Sequence, residues 1–139
     1  MRSEKVTITQ NHIDLNGHVS ESCYYSLACD AALQIFIDCE LDKLFVRHQI
    51  GLVTFATHIE FKREVFEGQE VKITIQLKAQ TENFRKWVRM ITIINEDEEI
   101  CCTICSDGAF FDLVNRKVIN PPEEITIALV GSQLALVGQ

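Results

Sequence analysis

From residue 50 onward the chain is written in a two-residue period, and this pattern constrains the fold more than any other feature. Residues 51–65 (GLVTFATHIEFKREV) alternate apolar and polar side chains, and three further segments of the same kind follow: 69–82 (QEVKITIQLKAQTE), 86–97 (KWVRMITIINED) and 98–114 (EEICCTICSDGAFFDLV). Short connections at Glu67-Gly68 and at the acidic run from Asn95 to Glu99 predict an antiparallel meander. Residues 5–12 (KVTITQNH) give one earlier strand. Between that strand and the meander lies a single long helical candidate, residues 20–45, with Leu27, Ala31, Leu33, Ile35, Phe36 and Cys39 filling a broad stripe and Ser20 or Ser22 placed to cap it. Its run AALQIFI is apolar nearly all round, so the helix is expected to be wrapped by sheet rather than to rest on it. The order strand, long helix, four strands predicts an α+β fold in which one antiparallel sheet of about five strands curls around one central helix.

The 139 residues suit a single domain over 1–139. Asn115-Arg116-Lys117 closes the last strand, and Pro121-Pro122 ends regular pairing. Residues 125–139 form an apolar tail that repeats ALVG at 128–131 and 135–138. It is expected to cover a core edge or a neighbouring subunit, as a short helix. A net charge of -7 gives no general basic footprint, which argues against nucleic acid as a partner. No apolar run follows Met1-Arg2-Ser3-Glu4-Lys5, and no stretch approaches the ~18 apolar residues of a membrane span. The expectation is a cytoplasmic protein with no signal peptide. Six cysteines include Cys101-Cys102 and Cys105, but neighbours on a strand point to opposite faces and no partner pair with metal-ligand spacing occurs elsewhere. Buried free thiols are expected, with no metal and no cofactor.

The densest chemistry lies just before the helix, in DLNGHVSESCY, residues 14–24. Asn16-Gly17 is a turn signal, and Asp14 can brace that turn or present an acid to the helix end. Glu21 can be solvated, a cap or a second carboxylate. His18 is better read as packing the loop than as a base, and Tyr24 as a core-facing aromatic. Asp30 can orient water, meet a partner subunit or stand on an exposed face.

The pattern D-x-x-G-H-V-x-x-x-x-Y (Asp14, Gly17, His18, Val19, Tyr24), followed by Asp30-Ala31, resembles the hotdog-fold acyl-CoA thioesterases of the 4-hydroxybenzoyl-CoA thioesterase type. Ile59-Glu60-Phe61 ahead of Gly68-Gln69-Glu70-Val71, and Phe111-Asp112 with Arg116-Lys117 and Pro121, are similar to later parts of that family. The resemblance covers about residues 5 to 124. It departs at Ser20-Glu21, where the family often has Asn-Asn, and at Gly68-Gln69, where it usually has Gly-Asp. The resemblance implies hydrolysis of an acyl-CoA to free acid and CoA. It implies Asp14 as nucleophile or general base and a backbone N–H near Glu21 polarising the carbonyl; the Glu21 side chain, at the departure from the family pattern, puts a second carboxylate near that centre and with His18 completes the candidate catalytic set. It also implies a homodimer or a dimer of dimers, with the site between two subunits.

Thr57, Ile59 and Phe61 share one strand face and His58 and Glu60 the other; the first set is expected to face the helix. With Gly17, Tyr24 and Asp30 it makes up the candidate substrate contacts. Basic residues cluster at Lys62-Arg63, Arg85-Lys86-Arg89 and Arg116-Lys117. Of these, Arg63, Arg85, Lys86 and Arg89, with Arg116 and Lys117, are candidates for the CoA phosphates. No G-x-S-x-G elbow and no phosphate-loop glycine motif occur. A non-catalytic acyl-CoA or lipid-binding hotdog module is the alternative function. A dehydratase, which needs a separate Asp–His pair, fits the Asp14/His18 spacing poorly.

Overall fold

The computed structural model describes residues 1–81 and 84–136. Strand β1 (Arg2–Thr7) is followed by helix α1 (Glu21–Asp38), helix α2 (Leu41–His48) and the long strands β2 (Ile50–Phe61), β3 (Glu70–Ala79), β4 (Lys86–Ile94) and β5 (Ile100–Asp112). A short β6 (Lys117–Val118), helix α3 (Glu123–Gly131) and a short β7 (Ala135–Leu136) complete the described chain. The five longer strands form one sheet in the order β1-β3-β4-β5-β2, each pair antiparallel. Helix α1 packs on β1, β3, β4 and β5. This is the α+β hotdog arrangement, a curled sheet around a central helix.

The period-2 pattern explains the core. Ile73 of β3, Ile93 of β4 and Cys102 of β5 lie in register, as do Ile75, Ile91 and Ile104, and all six are buried. Against this face α1 buries Tyr24, Leu27, Ala28, Ala31 and Ile35. Each of the larger side chains contributes about 1.5–3 kcal/mol on burial. Trp87, fully buried, crosses Gly108 so closely that a Cβ there would stand 2.5 Å from the ring and 2.0 Å from the Val53 carbonyl oxygen. On the same face of the edge strand β2, Thr57 pairs with Ser106, Ile59 with Ile104 and Phe61 with Cys102. All three therefore point to the helix side, while His58 and Glu60 pair with each other outside, 3.2 Å apart.

Three elements depart from the sequence pattern. The expected helix over 20–45 is two helices, because Glu40 adopts φ 58, with its N–H on the Ile37 carbonyl at 2.9 Å. The turn redirects the chain so that Leu41 and Phe45 bury, Phe45 packing its ring 4.9 Å from Phe36 and 5.9 Å from Phe110. That gain offsets a left-handed non-glycine residue, which costs about 1–2 kcal/mol. Leu33, expected in the apolar stripe, is 59% exposed. The first strand ends at Thr7 rather than at residue 12: Ile8 makes a last pair of bonds with the turn before β3, donating to the Gln69 carbonyl at 2.8 Å and accepting the Gly68 amide at 2.9 Å, and Gln10–His12 then turn as a 3-10 helix. The third difference is a bulge at Phe55 between the Thr54–Gly108 and Ala56–Asp107 pairs.

The tail covers a core edge. Ile125, Leu129 and Leu134 are fully buried, and β7 adds in parallel beside Leu77 and Lys78 of β3. Glu124 ties α3 to α2 through Arg47 and through His48, the latter at 2.9 Å. Glu82, at the end of the third expected strand, and residues 137–139 of the tail lie outside the described residues. Among the described residues no helix is long and apolar enough to cross a membrane.

Candidate active site

The loop before α1 is a tight hairpin. Ile13 and Val19 form a bridge, the Asp14 amide donates to the His18 carbonyl at 3.0 Å, and the Gly17 amide donates to the Asp14 carbonyl at 3.1 Å. Gly17 takes φ +80, the left-handed region that glycine occupies at no steric cost. Asp14 Oδ1 accepts the Asn16 amide at 2.8 Å, so the side chain also braces the turn. The Val19 amide on the Val65 carbonyl (2.8 Å) and the Ser20 amide on the His12 carbonyl (2.9 Å) then pin the loop beside the chain that leaves β2.

Helix α1 begins at Glu21 with Ser20 as the N-cap position, and the Ser20 side chain makes no capping bond. Among the described residues the amides of Glu21 and Ser22 donate to no acceptor, while Cys23 and Tyr24 turn theirs back to the Ser20 carbonyl. The positive end of the helix dipole is thus left open.

Asp14, Asn16, His18, Val19, Glu21 and Tyr24 line a cleft of about 420 Å³, closed on its other side by Phe61, Lys62, Arg63 and Glu64. Tyr24 lies edge-on to Phe61 at 5.4 Å and donates its hydroxyl to the Arg63 carbonyl at 3.3 Å. Burial pushes this phenol up to about 12, partly opposed by the Val65 amide, so the hydroxyl stays protonated and acts as a donor. His18 Nδ1 is buried without a partner among the described residues. The cleft therefore brings together the carboxylates of Asp14, Glu21 and Glu64, the open start of α1 at Glu21 and an apolar wall of Phe61 and Val19. That set can bind and polarise a carbonyl while a base or nucleophile approaches it.

Of the residues singled out in the sequence, Asp14, Gly17, His18, Glu21, Tyr24, Phe61 and Arg63 belong to this loop and cleft. Asp30 does not: it is exposed, nine residues into α1, about 14 Å from the helix start. Ile59 and Thr57 continue from Phe61 along the helix-facing side of β2. The six basic candidates are scattered, with Arg116 and Lys117 exposed beyond the end of β5. Arg63 stands at the cleft and pairs with Glu99 at 3.1 Å. Arg85 holds Asn120 Oδ1 and the Val118 carbonyl, and Lys86 is exposed at the far end of β4. Arg89 points to the helix side of the sheet, in register with Ser106 and Leu77. Lys62, the other member of the Lys62-Arg63 cluster, also lines the cleft.

The cysteines are free, and Cys101 and Cys102 are fully buried. Burial raises both thiols, Cys102 up to about 11, which keeps them protonated and unreactive. Among the described residues no cluster of three His, Cys, Asp or Glu side chains could hold a metal ion.

A profile described as the Thioesterase-like superfamily matches residues 8–129. The chain belongs to that superfamily and is by class a thioester hydrolase. A search of curated proteins finds no match. Among solved structures, YbaW, a probable thioesterase from Escherichia coli, superposes with a TM-score of 0.81 at 19% identity over 95% of this chain and 97% of that one. A 1,4-dihydroxy-2-naphthoyl-CoA thioesterase from Synechocystis gives 0.78 at 12% identity over 92% and 94%. A hypothetical protein from Staphylococcus aureus in complex with CoA gives 0.81 at 16% identity over 99% and 87%. At these identities the likeness is one of fold.

Proposed function

We propose that the chain hydrolyses an acyl-CoA thioester to a free acid and CoA in the cleft beside the start of α1. The observation that carries this reading is that Asp14 and the uncapped end of α1 line one cavity. The thioester carbonyl oxygen accepts the Glu21 or Ser22 amide, a donor worth about 3–4 kcal/mol in the transition state. Asp14, with one oxygen held by the Asn16 amide, uses the other either to attack the carbonyl carbon or to take a proton from the attacking water. Tyr24 and Phe61 wall the acyl side. Lys62 and Arg63 at the mouth suit the CoA phosphates better than Arg85 and Lys86, which lie towards Ala109 on β5, about seven residues or ~23 Å along that strand from the Phe61 partner Cys102. The CoA bound to the structural neighbour from Staphylococcus aureus supports a ligand of this kind.

The active form in this reading is a homodimer or a dimer of dimers. Strand β2 is an edge with one unpaired side, and Phe55 (57% exposed) and Leu33 (59%) add apolar surface on β2 and α1.

A panel of acyl-CoA esters read by thiol release tests the proposal. Release of CoA from at least one class of acyl group at an enzyme-dependent rate is the expected result; none across aromatic, short, branched and long acyl groups refutes it. The turn-bracing bond of Asp14 favours a second reading, an acyl-CoA-binding module without turnover. That reading predicts thermal stabilisation by acyl-CoA with no thiol released.

A further inference from the structure

The helix-facing side of the sheet carries one polar row in an otherwise apolar core. Arg89 Nη2 donates to Ser106 Oγ at 3.3 Å, and Ser106 Oγ lies 2.9 Å from Thr57 Oγ1. Ser106 is 1% exposed, whereas Thr57 is exposed on the edge strand, so the row runs from the covered centre of the sheet to its open margin. Arg89 Nε is buried and has no partner among the described residues. No carboxylate there lies within ion-pair distance of Arg89, although Arg47 and Arg63 pair with Glu124 and Glu99. The Trp87 ring lies 5.9 Å from the guanidinium.

The row is rich in donors. Two hydroxyls hold two protons, and a single bond between them uses one; the second has no acceptor among the described residues. Of the five N–H groups of the guanidinium, one is taken by Ser106. A partly buried cation with surplus donors and no acid is costly unless an anion completes it, and the fork of arginine matches a carboxylate.

The position says where such an anion comes from. Thr57 and Phe61 lie on the same face of β2, four residues apart, about 13 Å. Phe61 walls the cleft with Tyr24 of α1 packed edge-on against it, and beyond it the same face of β2 runs through the partly exposed Ile59 to the exposed Thr57. We infer that Arg89, Ser106 and Thr57 form a subsite for a carboxylate at the far end of the acyl chain, so that the preferred substrate is the CoA monothioester of a dicarboxylic acid. This rests on the acyl-CoA reading of the cleft and sets its substrate class.

The test measures binding and turnover separately. Titration calorimetry compares two non-hydrolysable thioethers of equal length, S-octyl-CoA and S-(7-carboxyheptyl)-CoA. The native protein is expected to bind the carboxylate-ended one about tenfold or more tighter, the size of a charge-assisted pair. Arg89→Met removes that preference while binding of S-octyl-CoA stays within about threefold, and Thr57→Val, on the exposed edge, reduces it in part. Equal binding of the two thioethers by the native protein overturns the subsite, with or without a folded Arg89→Met. So does equal weakening of both in Arg89→Met, or binding of free suberate with no preference between the thioethers. Thiol release from octanoyl- and suberyl-CoA then separates the two claims: turnover without preference refutes the subsite alone, whereas an Arg89-dependent preference in binding without turnover refutes only the hydrolysis.

Discussion

In Asp14→Asn the side chain keeps an oxygen where Oδ1 now accepts the Asn16 amide at 2.8 Å, so the turn before α1 loses nothing, but the group can no longer serve as base or nucleophile. In Asp14→Ala both are lost. The structure therefore predicts different signatures. For the asparagine variant the melting temperature stays within about 1 °C of the native protein. For the alanine variant the unmade turn bond costs about 1 kcal/mol, a fall of about 3–5 °C for a chain of this length. Turnover falls alike in both, by about 10²–10⁴-fold, which is about 3–5 kcal/mol of barrier. The assay is thiol release from the best acyl-CoA of the panel, beside differential scanning calorimetry of the same preparations. A native rate in Asp14→Asn refutes the chemical role outright. A rate that falls only in Asp14→Ala, in step with its melting temperature, leaves Asp14 as a brace and nothing more.

Gly108→Ala places a Cβ 2.0 Å from the Val53 carbonyl oxygen, and relief requires moving backbone or the Trp87 ring, so a loss of at least about 3 kcal/mol is expected; a melting temperature near native refutes the packing described. Ser20→Ala costs much less than the ~1 kcal/mol usual for a helix cap, because the hydroxyl makes no capping bond; a fall of that full size by chemical denaturation refutes the open helix end. Tyr24→Phe keeps most activity and changes the alkaline limb of stability. The fold raises the phenol from 10 to about 12 by burying it, so the native protein is fully stable with respect to this group below pH 10 and loses that stability as pH climbs through 12. The phenylalanine variant lacks this contribution, and identical pH-stability curves above pH 10 refute the assignment.

The alternation of the meander fixed which side chains meet the helix. Thr57, Ile59 and Phe61 were separable from His58 and Glu60 by period alone, and the register places them so. Parity fails where one residue is added: the bulge at Phe55 resets the faces, and nothing in Thr54-Phe55-Ala56 marks it, since bulges are selected by twist and closure rather than by a residue type. The break between α1 and α2 was hidden for a related reason. Glu40 carries no glycine or proline signal, and its left-handed conformation is held by what Leu41 and Phe45 gain further along. The acid and the helix start were legible because both belong to one short loop. The basic residues at and before the start of β4 were not: Arg85, Lys86 and Arg89 are close in sequence, yet a strand sends alternate side chains to opposite faces and spreads them along its length.

Unused hydrogen-bonding capacity carries the proposed function only where it meets an open surface. Trp87 Nε1 and Asp42 Oδ1 are buried and without a partner among the described residues, just as Arg89 Nε and His18 Nδ1 are. Trp87 is sealed at 0% exposure with Gly108 beneath it, so no ligand can reach its N–H, and the deficit there is offset by the packing of a large ring. Arg89 differs because its hydroxyl partners lead to the exposed Thr57, and the amides of Glu21 and Ser22 differ because the Asp14 cleft opens onto their helix end. An uncapped helix end lowers stability by about 1 kcal/mol, and a half-buried unpaired arginine by more. A well-packed core such as the isoleucine rows of β3 and β4 can sustain both deficits. On the proposed reading they become two donor-rich ends, the helix start beside Phe61 and the Arg89, Ser106 and Thr57 row about 13 Å along β2 from Phe61, one for a thioester carbonyl and the other for the tip of its acyl chain.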